Sequence, residues 1–233
     1  MATMCGRFTL RTPMDPLRQQ FLFERADHPL VPRFNIAPSQ PIAAVRLQET
    51  DQKRELAMLR WGLIPSWADD ARIGHRMINA RAETVAEKPS FRTAFKRRRC
   101  LILSDGYYEW QRRGQGLPKQ PYLIEMKTQA AFAMAGIWDV WHDPQGSVVE
   151  SCSILTTAAN DLTKSIHDRM PVILEPANYE LWLNVPSDNR EALESLLGPY
   201  PSMELNVYPV STLVNSPQHD SLQCIQPIDH SDT

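Results

Sequence analysis

One proline-rich stretch constrains the fold of this chain more than any other sequence feature. Residues 28–38 have the sequence HPLVPRFNIAP and contain Pro29, Pro32 and Pro38. Proline fixes one backbone dihedral angle and lacks a backbone N–H, so this density of prolines excludes a helix and a central strand. We therefore predict that residues 33–38 form an ordered irregular segment.

Segments on both sides of this stretch predict regular structure. Apolar or alternating patterns predict strands at residues 5–10, 42–47, 55–61, 100–103, 122–126, 132–138, 153–157, 172–174 and 205–210. Helix-start signals predict helices at residues 15–22, 177–183 and 188–197. The first of these helices is expected to begin with Asp15 as its N-cap and Pro16 at its first helical position.

The 233 residues contain no repeat, low-complexity linker or domain boundary. A chain of this length can form one large domain or two small ones. We expect one domain at residues 4–229, with an N-terminal extension at 1–3 and a disordered tail at 230–233.

Composition excludes several classes of function. The net charge of −2 implies no general attraction to nucleic acid, so a DNA contact requires local clustering of the 25 lysines and arginines. No apolar run reaches membrane-spanning length, and residues 1–4 lack the hydrophobic region of a secretory signal. The four cysteines form no Cys-x-x-Cys pair, and the six histidines lack metal-ligand spacing. We expect a cytoplasmic protein with free thiols and with no metal, cofactor or membrane partner.

The start of the chain carries a methionine directly before a cysteine, Met4 and Cys5. If Met4 is the effective start and is removed, Cys5 presents an amine and a thiol that can close a thiazolidine ring on an aldehyde. Intramolecular closure supplies effective molarities on the order of 10⁵ M. The amine has an ordinary pKa near ~8 and the thiol near ~8.5, so both nucleophilic forms exist around neutral pH. Taken alone, the segment is better interpreted as a first strand with a small buried cysteine.

Two further segments carry side chains suited to binding. The loop at residues 61–67, WGLIPSW, contains Trp61 and Trp67. Such tryptophans more often pack onto the core, but they could also form a stacking surface for unpaired bases. If residues 77–84 are extended, Asn79, Arg81 and Glu83 project from one face, as they would on an ordinary solvated strand.

Two titratable residues are candidates for acid–base chemistry. Glu109 lies between Tyr108 and Trp110 next to a buried strand, where desolvation would raise its carboxyl pKa toward a catalytically useful range. An edge-strand glutamate facing water is an equally good interpretation. His167 lies at a strand entrance, where a hydrogen-bonded loop histidine would have the same pattern. The four cations at 96–99 would either steer phosphates or form a solvated face.

Eight segments taken together resemble the SRAP family, the SOS response associated peptidase proteins that process abasic sites in single-stranded DNA. They are MCGRF at 4–8, RFNIAP at 33–38, WGLIP at 61–65, NARAET at 79–84, DGYYEW at 105–110, TAAN at 157–160, IHDRMP at 166–171 and VN at 214–215. Each is weak alone, but together they follow the family's order over nearly the whole chain. The resemblance implies a single α+β domain with a twisted, mainly antiparallel, barrel-like β core, short peripheral helices and a cleft for single-stranded DNA.

The resemblance also implies the activity and its residues. It makes the protein a sensor of abasic sites that crosslinks to single-stranded DNA through Cys5, with Asn79, Glu109 and His167 around it. The residues that it places along the DNA path are Arg7, Asn35, Trp61, Trp67, Arg81 and Arg169. A monomer that needs no cofactor or metal, and that associates with the nucleoid when bound to damaged DNA, is expected.

One departure from the family and two alternative functions stay open. In the family the cysteine follows the initiator methionine, whereas here residues 1–3 precede Met4. Translation therefore starts at Met4, or the preceding residues are removed, or the chemistry of Cys5 is blocked. The alternatives are a cysteine peptidase, with Cys5 as nucleophile and His167 as base, which could also be self-processing, and a non-covalent binding module for single-stranded or modified DNA.

Overall fold

The computed structural model describes residues 5–48, 50–114, 116–143, 145–184 and 189–228. The predicted extension at 1–3 and tail at 230–233 lie outside the described residues, as does the predicted first residue of the third helix, Asp188.

Within these residues the chain forms fourteen strands. In chain order they are β1 (Phe8–Leu10), β2 (Arg25–Ala26), β3 (Arg33–Ile36), β4 (Pro41–Leu47), β5 (Arg54–Trp61), β6 (Asn79–Arg81), β7 (Arg99–Ser104), β8 (Gly106–Gln111), β9 (Gln120–Met126), β10 (Phe132–His142), β11 (Val148–Ala158), β12 (Arg169–Pro171), β13 (Ile173–Leu174) and β14 (Leu205–Pro209).

The helices are short and lie between these strands. The α-helices are α1 (Met14–Phe21), α2 (Arg92–Arg97), α3 (Tyr179–Asn184) and α4 (Arg190–Glu194). The 3₁₀ helices are Ala71–Arg76, Ala82–Thr84, Pro176–Asn178, Ser202–Glu204, Thr212–Asn215 and Leu222–Ile225. In the described part of the chain, no helix is long and apolar enough to cross a membrane.

A closed five-stranded barrel forms the core. Its strands follow the order β11-β10-β7-β4-β5, all antiparallel neighbours, and a parallel pairing of β11 with β5 closes the ring where Cys152 lies opposite Trp61. Gly136 permits the close approach of β10 to β7, because a Cβ atom there would lie 2.7 Å from the Cys100 sulfur. This arrangement confirms the predicted α+β fold with a mainly antiparallel barrel-like core and short peripheral helices.

A second sheet positions the start of the chain. Its strand order is β14-β9-β8-β1-β3. Phe8 on β1 lies opposite Tyr107 on β8, and the N–H of Tyr108 donates to the carbonyl of Arg7 at 3.0 Å. The residues just before β1 therefore run alongside the second half of β8.

The proline-rich stretch differs from its prediction. Residues 33–36 form strand β3 instead of an irregular segment, but β3 lies at the edge of its sheet, where flanking prolines are tolerated. The backbone N–H groups of Phe34 and Asn35 donate to one carboxylate oxygen of Asp220, at 2.5 and 2.9 Å. The Asp220 side chain thus accepts hydrogen bonds from backbone N–H groups at the edge strand β3.

The predicted start of the first helix was wrong by one or two residues. Helix α1 begins at Met14, with Pro13 as its N-cap, and Asp15 lies inside the first turn. Pro16 is tolerated there because the first N–H groups of a helix have no intrahelical partner. The exposed Asp15 carboxylate still lies at the positive end of the helix dipole.

Candidate active site

Cys5 and Glu109 meet in a buried site between β1 and β8. The backbone N–H of Cys5 donates to Oε1 of Glu109 at 2.7 Å. Cys5 is 1% exposed and Glu109 is 2% exposed. Strand β8 lies in the middle of its sheet. Because Glu109 is both buried and on a central strand, it is not an edge glutamate facing water.

Burial changes the acid–base behaviour of Glu109. It raises the pKa of the carboxyl group from 4.5 to about 8, against the opposing effect of the backbone N–H groups of Cys5 and Trp110. A group with a pKa near the working pH can both accept and donate a proton. Of the two interpretations that the sequence left open for Glu109, the structure therefore has the buried carboxyl with a raised pKa.

The thiol of Cys5 is held in its neutral form. Burial, with a smaller contribution from the negative charge of Glu109, raises its pKa well above the ordinary value. Activated cysteine nucleophiles have the opposite environment, with a cation or a helix N-terminus that favours the thiolate. The site therefore suits a reaction that begins at the nitrogen of Cys5.

Asn79 joins this site from the barrel. Strand β6 pairs in parallel with β11, with Asn79 opposite Ile154. The Asn79 side-chain nitrogen lies 3.4 Å from the carbonyl oxygen of Cys5, a long hydrogen bond. Asn79 also lines the neighbouring cleft, so it lies between Cys5 and solvent-accessible space.

His167 lies in the wall of the same cleft. Its Nδ1 accepts from the backbone N–H of Arg169 at 3.1 Å, which assigns the ring proton to Nε2. Burial lowers the pKa of the ring, whereas the carboxylate of Asp168 opposes this shift. That carboxylate lies 3.0 Å from Nδ1 but is 87% exposed, so solvent screens it. We assign His167 a neutral imidazole at neutral pH.

The cleft beside these residues is strongly basic. It has a volume of about 1030 Å³. Its cationic lining residues are Arg76, Arg81, Lys88, Arg112, Lys119 and Lys164. In the described part of the chain, Asp168 is the single acidic residue of this lining. The acidic protein as a whole therefore carries a local concentration of positive charge, as any nucleic-acid contact requires.

The run of cations at 96–99 does not form this cleft. Arg98 pairs with Asp139. Arg99 is buried, and its guanidinium donates to the backbone carbonyls of Phe95 and Trp182. These two residues of the run stabilise the junction of α2, α3 and the barrel.

Two of the predicted DNA-path residues are accessible. Arg81 is exposed and lines the basic cleft. Trp67 is 59% exposed and lines a neighbouring recess of about 560 Å³ together with Arg72. Arg76 lines both spaces.

Three other residues on that path, Trp61, Asn35 and Arg7, form hydrogen bonds within the protein, and the Arg7 guanidinium donates to the carbonyl of Val214 at 2.7 Å. Trp61 is fully buried, donates from its indole nitrogen to the carbonyl of Ile78 at 2.8 Å and packs against Phe8. Asn35 is fully buried, donates to three backbone carbonyls within residues 214–219 and accepts from Arg7 at 3.0 Å. The structure does not bring these side chains to the cleft. Trp61 packs in the core, which is the more frequent interpretation of such a loop tryptophan, and it does not form a stacking surface.

Arg169 forms an ion pair at the margin of the site. Its guanidinium donates to both carboxylate oxygens of Glu83, at 2.5 and 2.8 Å, and to the carbonyl of Thr156 at 2.6 Å. This hydrogen bonding holds the pKa of Glu83 below its ordinary value. Glu83 lies on a 3₁₀ turn after β6, so it does not continue the strand face of Asn79 and Arg81.

Several cations of the cleft were not predicted from the sequence, because no local sequence pattern indicates them. Arg112 and Lys119 lie on the loop between β8 and β9, and Lys164 lies on a turn after β11. Only the fold brings them together. In the described ranges, no group of three His, Cys, Asp or Glu side chains is placed to hold a metal ion.

Comparison with known sequences finds close relatives. Residues 4–217 match the family model of the SOS response associated peptidase, SRAP. The chain is 44% identical over 225 residues to the abasic site processing protein YoqW of Bacillus subtilis, covering 96% of this chain and 99% of that protein. It is 31% identical over 273 aligned positions to the abasic site processing protein HMCES of Rattus norvegicus, covering 97% of this chain and 76% of that protein.

Solved structures show the same fold. A crystal structure of a protein from Bacteroides thetaiotaomicron matches with a TM-score of 0.84 and 30% identity, covering 96% of this chain and all 100% of that one. A protein from Bordetella bronchiseptica matches with a TM-score of 0.75 and 27% identity, covering 89% and 100% of the two chains.

Proposed function

The chain belongs to the SOS response associated peptidase (SRAP) family, and on that premise we propose that it processes abasic sites in single-stranded DNA by forming a covalent crosslink through Cys5. Its relatives YoqW and HMCES are named abasic site processing proteins. The observation that carries the proposal is the 2.7 Å hydrogen bond between the nitrogen of Cys5 and the carboxylate of Glu109. This contact supports the proposal, because a carboxyl group that can transfer protons touches the atom that would attack an aldehyde.

The first step is imine formation. The opened sugar of an abasic site presents an aldehyde at C1′, and the free amine of Cys5 adds to that carbon to give a carbinolamine. Loss of water from the carbinolamine needs a proton on the departing oxygen. Glu109 supplies it, because burial raises the pKa of its carboxyl group and so favours the protonated form. The Cys5 thiol then adds to the imine carbon and closes the thiazolidine.

The neighbouring residues have supporting roles. Neutral His167 presents an Nε2–H donor in the cleft wall, suited to a sugar hydroxyl or a developing alkoxide. Asn79 holds the carbonyl of Cys5 and so orients the amine. Both roles are positioning by hydrogen bonds.

The basic cleft would bind the DNA strand that carries the abasic site. Cations on its walls would pair with successive phosphates, and exposed Trp67, in the neighbouring recess that shares Arg76 with the cleft, would stack on a base. Stacking requires a base that is free of its partner, so this arrangement favours single strands. Arg81 is the predicted path residue with an exposed guanidinium in the cleft. Binding to damaged chromosomal DNA would place the protein on the nucleoid.

The reaction requires Cys5 to be the first residue of the active protein. While a peptide bond joins Met4 to Cys5, the nitrogen is an amide whose lone pair is delocalised, so it cannot form an imine. The active domain is accordingly proposed to begin at Met4 before processing and to extend to residue 229.

The site favours this reaction over general peptide cleavage. A cysteine peptidase needs a group that stabilises its thiolate. In this site both burial and the negative charge of Glu109 oppose the thiolate of Cys5. A substrate that reacts first with the nitrogen avoids this cost.

A denaturing gel tests the proposed function. Protein that begins at Cys5 is incubated with single strands that contain or lack one abasic site, and with a duplex that contains the site. We expect a covalent band with the abasic single strand, and none with Cys5→Ala protein or with the intact strand. Cleavage of unrelated peptides would support a peptidase instead. A native gel shift without a covalent band would support a binding module.

A further inference from the structure

Strand β10 ends beside the loop that carries Trp67. Asp139 and Trp141 are two residues apart on β10, so both side chains project from the same face of the strand. Both residues are buried. The backbone N–H of Ser66 donates to Oδ2 of Asp139 at 2.9 Å, and the indole nitrogen of Trp141 donates to the carbonyl of Ala68 at 2.6 Å. These two contacts hold the backbone on both sides of Trp67.

Two further hydrogen bonds fix the backbone around Trp67. A tight turn is closed by the N–H of Ala68, which donates to the carbonyl of Pro65 at 2.9 Å. Earlier in the loop, the N–H of Ile64 donates to the hydroxyl of Ser151 at 2.8 Å. Ser151 lies on β11, the antiparallel neighbour of β10. The barrel therefore holds this loop at residues 64, 66 and 68.

The same loop packs against the 3₁₀ helix Ala71–Arg76. A Cβ atom at Gly62 would lie 2.6 Å from the carbonyl oxygen of Gly74, so the two backbones are in direct contact. Gly62 has a φ of +126°, which a residue with a side chain rarely adopts. One closed segment between β5 and β6 thus carries both Trp67 and Arg76, which line the same recess.

These contacts leave the indole of Trp67 exposed. Trp67 is 59% exposed, although buried side chains hold the backbone next to it. Holding the backbone in advance removes a cost of binding, because ordering one residue on association lowers affinity roughly tenfold. A fixed backbone with an exposed indole is therefore suited to binding a flat partner without reordering the loop.

We propose that Asp139 and Trp141 are positioning residues that present Trp67 to an unpaired base. This inference rests on the proposed function, in which Trp67 stacks on a base of the single strand. Asp139 is 4% exposed and Trp141 is 6% exposed, and neither lines the cleft or the recess. Their effect on DNA binding therefore passes through the backbone of the Trp67 loop. Arg98, from the cationic run at 96–99, pairs with Asp139 and so supports its carboxylate.

Two substitutions remove these contacts and keep the shape of the side chains. Asp139→Asn leaves one oxygen for three donors, which are the N–H groups of Ser66 and Val140 and the guanidinium of Arg98. The charged guanidinium forms the strongest of these bonds and retains the oxygen, so the bond from Ser66 is lost. Trp141→Phe keeps an aromatic ring but removes the indole N–H.

The first test measures the affinity of the full chain for an intact single strand by fluorescence anisotropy. We expect Asp139→Asn and Trp141→Phe each to weaken binding roughly tenfold, because the loop must then be ordered on binding. The salt slope should stay unchanged, because no phosphate contact is lost. Wild-type affinity in either variant would overturn the role of that residue. Trp141→Phe decides the result if Asp139→Asn protein does not fold.

A double-mutant cycle with Trp67→Ala separates positioning from general support of the fold. In protein that already lacks the Trp67 indole, Asp139→Asn and Trp141→Phe should cause no further loss of affinity. Losses that add fully to the loss in Trp67→Ala protein would show that these residues do not act through Trp67, and they would overturn the proposal.

Asp105→Asn and Trp182→Phe are the matched controls. Asp105 is buried, pairs with Arg11 and accepts from the N–H of Thr12 at 2.8 Å. Trp182 is fully buried, and its indole nitrogen donates to the carbonyl of Cys100 at 3.0 Å. These contacts lie outside the Trp67 loop, so both controls should lower the melting temperature and leave the affinity unchanged. An equal loss of affinity in the controls would assign the effect to lost stability and overturn the proposal.

A second test needs no DNA. Hydrogen exchange of the Ser66 amide is followed by NMR in the full chain. We expect exchange about tenfold faster in Asp139→Asn protein, because the N–H loses a charged acceptor. Unchanged exchange would contradict the positioning contact.

Failure of this inference is distinct from failure of the proposed function. If wild-type protein gives no adduct with abasic DNA, the proposed crosslinking fails, and affinities for the intact strand still decide on Asp139 and Trp141. If Trp67→Ala protein binds the strand as tightly as wild type, stacking by Trp67 is wrong and the inference is overturned with it.

Discussion

The backbone nitrogen of Cys5 donates to the carboxylate of Glu109 at 2.7 Å, across a sequence separation of 104 residues. Both residues are almost completely buried. Pairing of β1 with β8 creates this contact, because it runs the start of the chain along the strand that carries Glu109. The two groups to which the proposed function assigns attack and proton transfer are therefore in contact in the folded protein.

Replacing Glu109 should slow the chemistry much more than it weakens binding. Glu109→Gln keeps the shape of the side chain but cannot transfer a proton, so crosslinking should slow by ~10²–10⁴-fold. Rates come from denaturing gels, and affinity comes from fluorescence anisotropy with an intact strand. Glu125→Gln is the matched control, because Glu125 is buried in the same sheet but pairs with Arg11. Crosslinking at the wild-type rate by Glu109→Gln protein would remove Glu109 from the mechanism.

Glu109 should also make folding stability depend on pH. Its pKa rises from 4.5 to about 8 in the folded protein, so between these values the folded state retains a proton that the unfolded chain releases. The stability associated with the protonated group is complete below about pH 4.5 and is lost as pH rises through about 8. Urea unfolding at several pH values should show this loss, and Glu109→Gln protein should show a flatter profile. Equal pH dependence in both proteins would contradict the raised pKa.

Arg81 should contribute to the salt dependence of DNA binding. Each phosphate neutralised on a single strand contributes about −0.7 to the log–log salt slope, so Arg81→Ala should flatten the slope by roughly that amount. Arg97→Ala is the control, because Arg97 is exposed on α2 and is not part of the cleft lining. An unchanged slope for Arg81→Ala would place Arg81 off the DNA path.

Replacing Trp67 and replacing Trp61 should have different effects, the first on DNA binding and the second on folding stability. Trp67 is 59% exposed, so Trp67→Ala should weaken binding to single strands with little change in salt slope or melting temperature. Trp61 is fully buried, so Trp61→Ala should lower the stability by about 3–5 kcal/mol. Melting curves and binding isotherms of both variants check this. A large loss of melting temperature in Trp67→Ala protein would show that Trp67 supports the fold.

The sequence was informative where chemistry depends on a local pattern. The aromatic neighbours of Glu109 left a buried carboxyl and an edge glutamate facing water as equal interpretations, and the structure has the buried carboxyl with a raised pKa. Sequence motifs could not distinguish side chains that would contact a ligand from those that stabilise the fold around the site. Trp61 and Asn35 lie in family segments, yet both are buried and hydrogen-bonded within the protein.

Contacts between residues that are far apart in the sequence could not be predicted from local sequence patterns. The carboxylate of Asp220 completes the edge of β3, and no feature near residues 33–38 indicates such a partner. Arg112 and Lys164 reach one cleft only through the topology of the sheets. Such positions depend on which strands pair, and single-sequence patterns specify pairing weakly.

The central claim is that the amine and the thiol of Cys5 together form the crosslink. The most direct test is the intact mass of the covalent adduct, measured for the full chain and for a form that starts at Met4. We expect an adduct whose protein part begins at Cys5 and whose total mass is that of protein plus DNA minus one water. We also expect no adduct from chains in which Met4 is still attached. An adduct whose mass retains residues 1–4 would contradict the central claim and would assign the crosslink to a side-chain nucleophile.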